Sequence, residues 1–111
     1  MALSTIHIKT KRQIYLLQLF DLQYFFFTEH AIMVKLTNGE SIHLDGSLVE
    51  KYKNFTHPHF FKIHPSYLVN IKSIGHLIKE NSKWSVVMVD GERLPLDDAH
   101  WKIFQKRFLI L

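Results

Sequence analysis

Asn38-Gly39 and Asp90-Gly91 each stand between two short, apolar-rich runs, and no other feature constrains the chain as much. A tight hairpin turn needs positive φ, which Asx and Gly tolerate best, so each pair predicts two antiparallel strands. The first turn joins residues 31–37 to residues 41–44, with both central residues expected at positive φ. The second follows residues 84–89, and Pro95 stops the strand after it, because proline cannot donate to a ladder.

The remaining apolar runs are also strand-sized. Residues 5–9 alternate, with Ile6 and Ile8 on one face, and Lys11-Arg12 forms a turn. Residues 13–19 are apolar nearly throughout and read as a second strand, broken at Phe20-Asp21. Residues 22–27 carry four aromatics, which suit a core better than a stacking platform. Asp45-Gly46-Ser47 opens a short helix with Leu48, Val49 and Tyr52 at helical spacing, and Glu50 completes a capping box with Ser47; residues 54–58 end it. Residues 59–63 are extended, 66–70 read as one helical turn, and 74–79 as a strand before a polar turn at 80–83. Asp97 or Asp98 caps a final helix within residues 97–110, where Trp101, Phe104 and Phe108 fall at i, i+3, i+7. The expected fold is mainly β, a β-rich α+β class: short antiparallel sheets, one short middle helix and a C-terminal helix. It lacks the βαβ order of a doubly wound sheet. The expected core comprises Ile14, Leu16, Phe26, Val34, Phe61, Tyr67, Val69, Val87, Trp101 and Phe104.

The 111 residues fit one domain, 1–111, and 47% hydrophobic residues supply one core without disulfides or metal. No apolar run approaches the ~20 residues of a membrane span, and residues 1–9 lack a signal-peptide pattern, so a cytoplasmic protein without a membrane partner is expected. With no cysteine there is no thiol nucleophile or zinc ribbon. The glycines, at 39, 46, 75 and 91, are too far apart for a phosphate loop. His57-Pro58-His59 is the densest histidine cluster but has no flanking carboxylate, and Asp97-Asp98 suits helix capping, so neither an enzyme, a metal nor a cofactor is expected. Fourteen Lys and Arg against ten Asp and Glu give a formal charge of +4, which permits an anionic partner. A loop would have to enter the DNA groove, since no basic recognition helix is visible.

Three strings in order, "LTNGESIHLDGSLVE", "FFKIHPSYLVNIKSI" and "VVMVDGERLPLDDAHWKIF", resemble the LytTR-type DNA-binding domain, as does the opening "IHIKTKRQIYLLQLFDLQY". The most specific part is the middle string, with Phe61, His64, Ser66, Tyr67, Val69 and Asn70. The resemblance implies an output domain of a two-component response regulator, behind a receiver domain and cut from a longer chain. Its loops would dock in successive major grooves of double-stranded DNA, often at paired direct repeats upstream of promoters. His30 matches the family's loop histidine, and Lys62, Ser66, Lys72, His100 and Lys102 complete the expected DNA contacts. His64, Tyr67 and Asn70 are expected to hold structure. The chain departs from the pattern at Pro65, which has no side-chain donor, and at Asp97-Asp98-Ala99, where the family often carries basic residues. These departures motivate the alternative of a LytTR-like module, weakened in DNA binding, that acts as a protein-interaction or regulatory partner.

Overall fold

The computed structural model describes residues 5–53, 55–108 and 110–111, without the side chains of Tyr52 and Lys53. Strands dominate, and every strand pair described below is antiparallel. Two compact units divide the chain, Met1–Thr56 and His57–Leu111.

In the first unit, β1 (Thr5–Lys9) and β2 (Ile14–Gln18) form a hairpin in the register Thr5↔Gln18 to Lys9↔Ile14. Thr10 closes its tip: its backbone N–H donates to the Gln13 carbonyl at 2.8 Å, and its hydroxyl accepts from the Gln13 N–H at 3.1 Å. The expected burial of Ile14 and Leu16 is wrong; they are 59% and 71% exposed. A strand has two faces, and the register sets Ile14 and Leu16 opposite Lys9 and His7 on the outer one. Tyr15 and Leu17 point inward instead, opposite the buried Ile8 and the half-buried Ile6. A continuous apolar run carries no signal of which parity faces in.

A 3-10 helix, Leu19–Asp21, follows, and the Asp21 carboxylate accepts from the Gln18 N–H at 2.9 Å. Next come β3 (Leu22–Phe27), β4 (Ala31–Leu36) and β5 (Ser41–Asp45), with β4 paired to both others. Phe25, Phe27, Ile32 and Val34 are buried, whereas Phe26 is only half-buried, opposite the half-buried Met33. The β4–β5 hairpin exists, but its turn differs from expectation. Only Gly39 has positive φ, +91°; the Leu36 N–H donates to the Glu40 carbonyl, and the Gly39 N–H to the Leu36 carbonyl. The Asn38 side chain accepts from the Glu40 N–H at 2.9 Å. This is the three-residue loop with one left-handed glycine. The short helix begins as a 3-10 turn, Gly46–Leu48, and continues as α1 (Val49–Lys53). Asp45 rather than Ser47 is its cap, accepting from the Ser47 N–H at 2.8 Å. Val49 is buried and Leu48 half-buried, while the Tyr52 side chain and Asn54 lie outside the described residues.

In the second unit, β6 (Phe60–His64) and β7 (Tyr67–Asn70) form a hairpin about Pro65-Ser66. Residues 67–70 are therefore strand and Ser66 belongs to the turn, so the expected helical turn over 66–70 is absent. Tyr67, Leu68 and Val69 pair with His64, Lys62 and Phe61, and this ladder outweighs local helical preference. Asn70 caps the 3-10 helix Ile71–Ser73 by accepting from the Lys72 N–H. Strands β8 (Ile74–Glu80), β9 (Lys83–Met88) and β10 (Arg93–Pro95) form a sheet ordered β10-β9-β8. Both residues at positive φ in a two-residue turn occur here, at Asn81 (51°) and Ser82 (64°), rather than at Asn38-Gly39. The last helix, α2 (Asp98–Arg107), is the longest described. Its start is tied to β6, since the Asp97 N–H donates to the Ile63 carbonyl at 3.1 Å. Phe104 and Phe108 meet the Phe61 ring edge-on at 5.4 and 5.7 Å, and Trp101 stacks on Trp84 at 4.7 Å. Phe61, Val69 and Val87 are buried as expected. Trp101, Phe104 and Tyr67 are half-buried, because a large ring on a surface helix or hairpin end keeps an edge in water.

Candidate nucleic-acid interface

His30 stands on the loop between β3 and β4, and that loop is braced by Thr28. The Thr28 hydroxyl accepts from the Ala31 N–H at 2.9 Å and the His30 N–H at 3.3 Å, while the Thr28 N–H donates to the Ala31 carbonyl. Such a side-chain turn replaces the ladder bonds that the chain gives up on reversing. The His30 side chain is 90% exposed, with the Glu29 carboxylate 3.8 Å from its Nε2. Its backbone lies against Gly46 so closely that a Cβ there would fall 2.2 Å from the His30 carbonyl oxygen.

Two more expected residues meet at the end of β6. The His64 ring accepts from the Ser66 N–H through Nδ1 at 3.1 Å, which shapes the Pro65-Ser66 turn. Beside it, Asp97 caps α2 by accepting from the His100 N–H at 2.9 Å, and its Oδ1 lies 2.6 Å from the His100 ring. Burial would raise the Asp97 carboxyl, but the two hydrogen bonds from His100 and the positive character of His100 and His64 outweigh it. The net result is below the ordinary aspartate value. Of the two acids at this helix start, Asp97 is thus engaged inward and Asp98 is exposed.

The other candidates are dispersed. Lys62 is half-buried in β6 between the buried Phe61 and Ile63, so it leaves from the strand's other face. Lys72 is exposed in the 3-10 helix after β7, at the opposite end of that hairpin from Ser66. Lys102 is exposed on α2. The structure therefore gathers Ser66 and His100 around His64 and Asp97, and leaves Lys62, Lys72 and Lys102 separate from that cluster.

Sequence reasoning treated Lys11-Arg12 only as a turn. In the structure the hairpin tip and β5 flank an open groove of about 860 Å³, where Lys9, Lys11, Arg12 and Lys51 gather with a single carboxylate, Asp45. The basic spacing in "IKTKRQ" was the available signal. Among the described residues no cluster of three or more His, Asp or Glu could hold a metal ion, and no helix is long and apolar enough to cross a membrane.

The profile of the LytTr DNA-binding domain matches residues 12–108. The chain belongs to the LytTr DNA-binding domain family. The fold agrees: the LytTr DNA-binding domain of a protein described as a methyl-accepting/DNA response regulator from Bacillus cereus superposes with a TM-score of 0.72 at 21% identity, over 93% of this chain and 94% of that one. No curated protein matches the sequence. In this LytTr domain the antiparallel, strand-rich architecture is as the resemblance implied.

Proposed function

We propose that this LytTr domain, taken as one domain over its whole length, reads promoter DNA as the output module of a cytoplasmic two-component response regulator. The His30 loop and the Pro65-Ser66 turn enter major grooves, and paired copies occupy direct repeats; a receiver domain supplies the signal. The observation that carries this reading is the His30 side chain, 90% exposed on a short loop held by Thr28. A donor on a braced loop can meet a base edge without first paying to become ordered. Family membership supports the DNA-binding class, and the Bacillus cereus relative is described as a response regulator. Lys62, Lys72, His100 and Lys102 are assigned to phosphate contacts, which position the protein without reading sequence.

The test is fluorescence anisotropy on a selected site and on random duplex. His30→Ala should cost roughly 1–3 kcal/mol on the selected site and relax preference at one base position, with random duplex little affected. Equal loss on both would make His30 a phosphate contact and sink the readout role.

A second reading, a protein-interaction module, is favoured by the helix start itself. Asp98 is exposed there, and Asp97 already holds the His100 ring. Carboxylates at that place repel phosphates. Affinity for duplex that does not fall with added salt would put this reading first, because DNA binding releases counterions.

A further inference from the structure

The groove at the β1–β2 tip plays no part in the reading above, and its chemistry is one-sided. Lys9, Lys11 and Arg12 stand on the hairpin wall, and Lys51 on the α1 side. His43 of β5 adds a ring between them, and one carboxylate, Asp45, opposes them. That carboxylate is already engaged. It accepts from the Ser47 N–H at 2.8 Å and lies 3.5 Å from the Lys11 ammonium, and these contacts, the Ser47 bond first, hold it below the ordinary value. Among the described residues of the lining, Lys9 and Arg12 have no carboxylate partner.

The position of the groove matters as much as its charge. Ala31, the residue after His30, is the cross-strand partner of Asp45, and Gly46 packs against the His30 carbonyl. Cross-strand neighbours lie about 5 Å apart, so the groove begins one strand spacing from the His30 loop. The phosphate strands that border a major groove about 12 Å wide fall within the reach of Lys and Arg side chains placed there. The cations are rim groups, the Lys11 side chain 87% exposed, rather than groups converging on an enclosed point. That arrangement suits a continuous polyanion lying across the groove.

We propose that this groove holds the sugar-phosphate backbone of duplex DNA beside the major groove that the His30 loop enters. The inference rests on the DNA-binding reading and adds to it a second contact that positions the domain without reading sequence. Backbone contacts of this kind raise affinity for all sequences alike and deepen salt dependence.

The double variant Lys9→Gln/Arg12→Gln tests it, since both side chains are exposed and the Lys11–Asp45 pair and the Asp45 cap stay intact. Anisotropy across a salt series should show the selected and random duplexes weakened by the same factor, roughly tenfold, with a log–log slope shallower by about 2. The urea midpoint should not move; if it does, Lys9→Gln alone should make the slope shallower by about 1. Affinity and slope equal to those of the unaltered chain would overturn the proposal. Capture of an isolated mononucleotide by the groove, with duplex binding unchanged in the variant, would overturn it too and assign a small anion instead. An unaltered chain that shows no salt-dependent duplex binding fails the DNA-binding reading itself, and this is seen in that arm alone.

Discussion

At the scale of single residues, Gly46 and Asp97 carry consequences out of proportion to their size. Gly46 has an ordinary φ, so it is space and not conformation that requires glycine: any Cβ would meet the His30 backbone at 2.2 Å. Backbone cannot swing aside as a side chain can. Gly46→Ala should therefore destabilise the chain by about 1–3 kcal/mol, read by urea unfolding, and displace the His30 loop, read as lost preference for a selected site. A variant as stable as the original would show that the loop yields freely. Asp97→Ala removes the cap of α2 and should cost about 1 kcal/mol at neutral pH. The pH dependence has a definite sign. The folded carboxyl titrates below the ordinary 3.8, so its contribution is full above that value and is lost as pH falls through the folded one. The stability gap between the two proteins should close below pH 4. Being about a third exposed, the side chain is partly screened, and the gap stays small.

At the scale of elements, α2 is held by two devices at its two ends. The Asp97 N–H bonded to Ile63 fixes its start, and the Phe61 ring, against both Phe104 and Phe108 with the Arg107 guanidinium 5.4 Å from its centre, holds the rest. Phe61 is buried, so Phe61→Ala should cost about 3–5 kcal/mol in chemical denaturation. A loss below about 1 kcal/mol would show that α2 is held elsewhere. The hairpins show how turn chemistry is read in part from sequence. Asn38-Gly39 and Asp90-Gly91 close in the same way: the glycine has φ near +90°, and the Asx side chain accepts from the N–H two residues on. Both turns were legible as turns. Their type was not, because it depends on how many residues the ladder leaves unpaired, and that is set by register across the pair. Asn81-Ser82, with no glycine at all, takes the two positive φ values because the β8–β9 ladder runs to Glu80↔Lys83 and leaves only two residues to turn.

For the molecule as a whole, the strand-rich antiparallel order was legible because turn pairs and apolar runs recur at strand spacing along the chain. The facing of β2 was not: Ile14, Leu16 and Tyr15 are alike to a hydrophobicity count, and only pairing with β1 decides which parity turns inward. The strand character of residues 67–70 was hidden for a related reason, since four residues are too few to establish a period. Of the candidate interface, the loop position of His30 could be read from its neighbours, whereas the basic groove could not. Its walls lie about thirty residues apart in sequence and are bridged by the Lys11–Asp45 pair. The Asn38-Gly39 loop carries one more consequence, in chemical ageing. An asparagine before glycine is the peptide most open to deamidation, which proceeds when the glycine nitrogen attacks the amide carbon and closes a succinimide ring. Here that nitrogen's hydrogen is held by the Leu36 carbonyl, and the amide oxygen is held by the Glu40 N–H. The Gly39 bond must open before that nitrogen can attack, and the Glu40 bond holds the Asn38 side chain in its turn, so the folded hairpin slows its own decay. Isoaspartate accumulating at this one peptide in a stored sample is therefore a clock for the time the β4–β5 turn has spent open.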